Sequence, residues 1–123
     1  MKRSLQTILL CCLAAVSLSS ISAQDPVKLS PQYYKVLVDN DEVRVLEFRF
    51  KPGDKEPMHS HARGFVYALT EAKLKITFPD GKTEETAMKT GEARWRDPVT
   101  HAVENIGTTE AQVIAVELKK PAK

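Results

Sequence analysis

Apolar residues in this chain fall into short runs that alternate with polar positions at a period of two, separated by turn-forming residues. Tyr34 to Val38 is apolar and β-branched, and Asp39-Asn40-Asp41 closes it. Val43 to Phe50 alternates in part, with Val43 and Val45 on one face and Leu46, Phe48 and Phe50 on the other. That pattern predicts a strand covered on both sides or one carrying a bulge. Phe65 to Leu69 follows, then Lys73 to Phe78, whose Leu74, Ile76 and Phe78 point inward and whose lysines point outward. Pro79-Asp80-Gly81-Lys82 predicts a hairpin, because Asp-Gly reaches positive φ at low cost. Thr83 to Met88 returns the chain and Gly91 turns it again. Ala93 to Arg96, Thr100 to Asn105 and Gln112 to Leu118 complete the set, with a turn at Ile106-Gly107-Thr108-Thr109. No stretch holds a convincing helical period. Roughly eight strands at intervals near ten residues predict an all-β sandwich or barrel. Gln24 to Tyr33 is polar, carries two prolines and reads as an arm or edge strand.

The first 23 residues break this pattern. Lys2 and Arg3 precede an apolar run from Leu5 to Leu18, and a Ser-rich stretch ends at Ile21-Ser22-Ala23. This is the layout of a secretory signal with cleavage between Ala23 and Gln24, and the run is short for a membrane span of roughly twenty residues. Cleavage would leave a periplasmic or secreted protein of residues 24–123, one domain with its barrel core at about 34–118. Both cysteines, Cys11 and Cys12, lie in the leader, so the mature chain would form no disulfide. Losing Lys2 and Arg3 brings the 18 Lys and Arg down to match the 16 Asp and Glu. A neutral, interspersed charge pattern offers no basic face to nucleic acid and no polybasic patch to a membrane.

The chemistry concentrates in three histidines. His59 and His61 are one residue apart, so in an extended segment both imidazoles project from one face. Such a pair suits a divalent metal, and His101, in another strand-like segment, is the only other histidine. A Gly53-Asp54 turn leads into the pair, with Glu56 and Met58 on the approach. Three neutral imidazoles favour zinc, iron, copper or nickel over magnesium or calcium, which prefer oxygen. Taken singly, Arg63 reads as a solvated loop cation, Tyr67 and Trp95 as core aromatics, and Arg96 as a surface charge. If Phe65, Tyr67 and Leu69 face inward, Tyr67 lies near the histidines; if Val66 and Ala68 do, the cavity is apolar. The chain shows no Gly-rich phosphate loop and no Ser-His pairing with a recognisable turn.

These residues resemble the motifs of the cupin superfamily, and in particular its small single-domain bacterial members. Gly53, five residues and His59-Ser60-His61 are similar to the start of the first cupin motif. Gly91-Glu92 and His101-Ala102-Val103-Glu104-Asn105 are similar to the second. The resemblance spans about Val43 to Leu118 and implies a double-stranded β-helix, or jelly-roll, barrel. It implies one divalent transition metal (iron, zinc, manganese, copper or nickel) held by His59, His61 and His101. The glutamate of the first motif is missing: Gly64 stands at its position, with Phe65 as the neighbouring alternative. If Gly64 does mark that position, the metal has an open face and Gly64→Glu would bring a carboxylate within reach. Asp97-Pro98-Val99-Thr100 also replaces the usual Pro-x-Gly segment.

Two functions fit this reading. One is a metal-dependent enzyme of oxygenase, lyase or isomerase type acting on a small metabolite, with Arg63, Tyr67 or Trp95 contacting the substrate. Some three-histidine cupins are iron enzymes that activate dioxygen, a likeness of ligand set only. The alternative is a non-catalytic module that binds a metal or small ligand. The sequence names no catalytic residue and leaves the oligomeric state open, a homodimer included.

Overall fold

A computed structural model describes residues 24–120, so the leader reading of residues 1–23 lies outside the described residues. Among these, a short helix α1 (Pro26–Leu29) precedes nine strands. They are β1 (Tyr34–Asp39), β2 (Val43–Phe50), β3 (Lys55–His61), β4 (Gly64–Ala68), β5 (Ala72–Thr77), β6 (Thr83–Met88), β7 (Ala93–Arg96), β8 (Val99–Asn105) and β9 (Ala111–Leu118). Two antiparallel sheets result, one in the order β1-β2-β9-β4-β7 and the other β3-β8-β5-β6. This is the all-β barrel that the alternation predicts, in the jelly-roll form that the cupin resemblance implies, with inward faces meeting in a shared interior. No helix among the described residues is long and apolar enough to cross a membrane.

The core lies where the period-two pattern places it. Leu46 and Phe50 are fully buried and Phe48 nearly so, from one face of β2. Phe48 and Phe50 stack at a tilted 4.8 Å, and Tyr33 meets Phe50 edge-on at 4.7 Å. Each buried aromatic contributes roughly 1.5–3 kcal/mol of transfer free energy. Ala111, Val113 and Ala115 supply the matching row on β9. The predicted hairpin joins β5 to β6, with Gly81 at φ +85° and its amide donating to the Phe78 carbonyl.

Three expectations need correcting. Of the two readings of 24–33, arm or edge strand, the edge strand is ruled out: Asp25 caps α1 by accepting from the Val27 amide at 3.0 Å, and Pro26 fits the first turn. The bulge anticipated in β2 lies in its neighbour β1, where Leu37 is the extra residue between Val36↔Leu46 and Val38↔Val45. The approach to the histidines is itself a strand, β3, and it carries a second bulge.

Candidate metal centre and adjoining cavity

The second bulge builds the site. On β3, Glu56 pairs with Val103 and His59 with His101, so three residues on one strand span two on the other. Three positions apart, Glu56 and His59 would normally face opposite ways; the bulge at Pro57-Met58 turns both inward. Pro57 suits such a place because it has no amide to give to the ladder. His59 and His101 are direct cross-strand partners, and His61 lies one pleat further along β3. The three rings gather with centroids 4.7 to 5.5 Å apart, and their nitrogens lie within 4.8 Å of one another.

Hydrogen bonds decide which nitrogens face the centre. His59 Nδ1 donates to the Pro57 carbonyl at 2.8 Å, and His61 Nδ1 donates to Glu117 Oε1 at 2.7 Å. Both protons are therefore on Nδ1, which leaves two bare Nε2 lone pairs facing each other at 3.0 Å. His101 Nε2 is buried with no partner. Two lone pairs facing each other at 3.0 Å without a donor between them repel unless a cation sits there. Burial keeps the rings neutral, the form a metal requires. It lowers His59 to about 4 and His101 to about 3, with the neighbouring histidines and Arg96 acting in the same direction. It lowers His61 too, against the pull of Glu117. The donor set fits a divalent transition ion, and the Nδ1 anchors are the outer contacts that orient ligating histidines.

Around the histidines lie groups that sequence reasoning missed. Glu117 is the last inward residue of β9 and is 4% exposed. Its Oε2 accepts from Arg44 Nε at 3.1 Å and Nη2 at 2.9 Å. Arg44 Nη1 continues to Asp25 at 2.8 Å, tying the N-terminal segment to the site. Burial raises Glu117, but His61 and Arg44 outweigh it and hold the carboxyl below its usual range. Glu56 is pushed the other way: burial lifts it to about 7, despite the Tyr34 hydroxyl donating to Oε2 at 3.0 Å. Its Oε1 has no partner and lies 3.5 Å from His59 Nδ1. The available signal was the alternation Val113, Ala115, Glu117, which places the glutamate on the core face. For Glu56 no such signal exists, since the bulge reverses its parity.

A cavity of about 380 Å³ opens from the histidines. Its walls are mostly apolar, with Val66, Leu74, Ile76, Phe78, Met88 and Val103 among them. Val66 and Ala68 face inward, so Tyr67 lies on the outer face, 39% exposed, and is not part of the cavity wall. Arg63 is likewise outside, its guanidinium donating to the Lys120 carbonyl at 2.8 Å. Trp95 borders the cavity yet is 57% exposed, and its indole donates to Asp97, so it is no core aromatic. Arg96, read as a surface charge, is the inward one: it pairs across from Gly64 and lines the cavity.

A jelly-roll barrel with three buried histidines converging beside an apolar cavity defines a cupin-type protein. Comparison with known proteins agrees. The chain is 35% identical over 86 residues to the beta-alanine degradation protein BauB of Pseudomonas aeruginosa, covering 68% of this chain and 90% of that protein. It is 30% identical to a cupin-domain protein from Bordetella pertussis Tohama I, with a TM-score of 0.64 over 71% of this chain and 92% of the other. The chain belongs to the cupin superfamily. The polyketide cyclase RemF from Streptomyces resistomycificus shares the fold at 23% identity and a TM-score of 0.52, over 71% of this chain and 64% of its own. No protein-family model matches the chain.

Proposed function

We propose that this cupin holds one divalent transition metal through His59, His61 and His101 and acts on a small metabolite in the adjoining cavity. The observation that carries the reading is the convergence of three imidazoles, two of them fixed as acceptors by Pro57 and Glu117 and the third, His101, presenting a buried Nε2 with no partner. When bound, a divalent ion would supply Lewis acidity and open positions for a small ligand. The protein's own groups supply the rest. Glu56, raised to about 7 by burial in the metal-free protein, lines the cavity beside His59 and would hold or hand over a proton there. Tyr34 keeps that carboxyl in place, and the mostly apolar wall suits a small organic body. A carboxyl lining an apolar cavity beside the three histidines supports a metal-dependent enzyme of oxygenase, lyase or isomerase type over a passive binder. BauB, by its name, serves the degradation of a small metabolite, which agrees with that scale of substrate.

Metal analysis of the purified protein tests the reading. About one ion per chain is expected, with a sharp loss in His61→Ala and in His101→Ala. Undiminished stoichiometric metal in both variants would remove the site. Export completes the proposal, on the strength of the charged start, apolar run and Ala23. The intact mass of the exported protein should begin near Gln24, and a retained Met1 would sink that part.

A further inference from the structure

Strand β7 sends two cations inward, and the structure treats them differently. Arg94 is fully engaged: its Nε donates to Glu92 at 2.6 Å, Nη1 to Thr86 at 2.8 Å and Nη2 to the Ala87 carbonyl at 2.6 Å. Two residues on, the Arg96 side chain is 16% exposed, and its Nε and Nη2 are buried with no acceptor. Glu117 balances its charge from 3.8 Å but is spent elsewhere, Oε1 on His61 and Oε2 on Arg44. Buried guanidinium donors without acceptors are costly, and a native fold keeps them when something else supplies the acceptor.

We infer that Arg96 anchors the carboxylate of a small substrate whose apolar body fills the cavity beside the histidines. A guanidinium edge presents parallel N–H donors that match the two oxygens of a carboxylate. One guanidinium edge with two unengaged donors suits a single carboxylate, whereas a phosphate dianion would call for more donors than this wall offers. Away from that end the cavity is lined by Leu74, Ile76, Phe78 and Met88, which suit an aliphatic or aryl tail. The register explains the placement. Arg96 and Glu117 both pair with Gly64, one from each side, so the guanidinium reaches the histidine end of the barrel with no intervening side chain on β4. The inference shares its cavity with the metal reading above and deepens it by naming the substrate class.

Straight-chain carboxylates from butyrate to octanoate, each beside its amide, are the probes. Isothermal titration is run on zinc-loaded protein and on protein stripped by chelator. Carboxylates should bind more tightly as the chain lengthens until the cavity is full, and amides should be weaker by about tenfold or more in both metal states. R96Q should lose about tenfold or more for the acids and leave the amides unchanged, and R96K should recover part of the loss. Zinc content of R96Q, measured on the same samples, should match the native protein. Equal binding of acid and amide, no binding of either, or R96Q and R96K both binding acids as the native protein does would overturn the assignment. So would discrimination that vanishes with zinc, since the metal would then hold the carboxylate. Should the protein take up none of zinc, iron, manganese, copper or nickel yet still select acids through Arg96, the metal reading fails and this one stands. If R96Q does not fold, R96K decides, with acid affinity expected between the native and amide levels.

Discussion

A side chain at Gly64 has nowhere to go. A Cβ there would sit 1.7 Å from the Val116 carbonyl oxygen and 2.8 Å from its carbon. Gly64 is not among the glycines with positive φ, so close approach of β4 to β9 demands it rather than a turn conformation. This overturns the expectation that Gly64→Glu would complete the metal site. The carboxylate nearest that position belongs to Glu117, directly across the ladder, and it serves His61 Nδ1 from behind. Gly64→Ala should cost at least roughly 1–3 kcal/mol, the scale of overpacking, and Gly64→Glu should fail to pair β4 with β9. Urea unfolding measures the first, and a Gly64→Ala protein as stable as the native one would show that the two strands can part without cost. At this scale the three histidines were legible because every histidine in the chain belongs to the cluster. Glu56 and Arg96 were not. A bulge inverts the parity of one, and the other looks like any cation at a strand end until its missing acceptors are seen.

Between turns, period two carried the elements. Ala93–Arg96 and Thr83–Met88 have the bounds that alternation and glycine turns predict, and Leu74, Ile76 and Phe78 do line the interior. Where two turns bracket a strand, register follows from the buried face, since a slip of one residue would expose every apolar side chain. Reading failed where local chemistry overrides alternation. Lys55–His61 mixes charge, proline and histidine with no apolar row, yet it pairs with β8 through the backbone and buries the polar Glu56, His59 and His61. Gln24 to Tyr33 lacks helical period because four residues are too few to show one; the Asp25 cap and Pro26 were the signals available. Asn105 ends the second motif for a structural reason. Its amide donates to the carbonyls of Phe50 and Thr109 at 2.8 and 3.0 Å, and its oxygen accepts from Gly107. It therefore pins the β8–β9 turn to the end of β2.

Across the whole molecule, the buried site sets how stability responds to acid. His59 at about 4 and His101 at about 3 are depressed below the ordinary histidine value, so the unfolded chain takes up their protons first as pH falls. Each therefore lowers stability from about pH 6.5 down toward its folded value. Glu56 works against them. Raised to about 7, it keeps its proton in the folded protein while the unfolded chain gives one up above about pH 4.5, so its contribution falls as pH rises through that window. Near pH 5.5 the two histidines outweigh the one carboxyl by about one proton, which is a slope of about 1.4 kcal/mol per pH unit with stability rising toward neutrality. His61, also lowered, adds to the slope, and the depressed Asp25 and Glu117 extend the loss below about pH 4.5. Near pH 7 the opposing protons cancel and the curve levels. Urea unfolding of chelator-treated protein from pH 5 to 7.5 should show this rise and plateau. A bound metal would steepen the rise, because protons and metal compete for the same lone pairs. Stability that is flat or climbs as the metal-free protein is taken from pH 7 to 5 would mean that the histidines are not held neutral by burial. The convergence of bare nitrogens at the centre of the barrel would then lose its electrostatic basis.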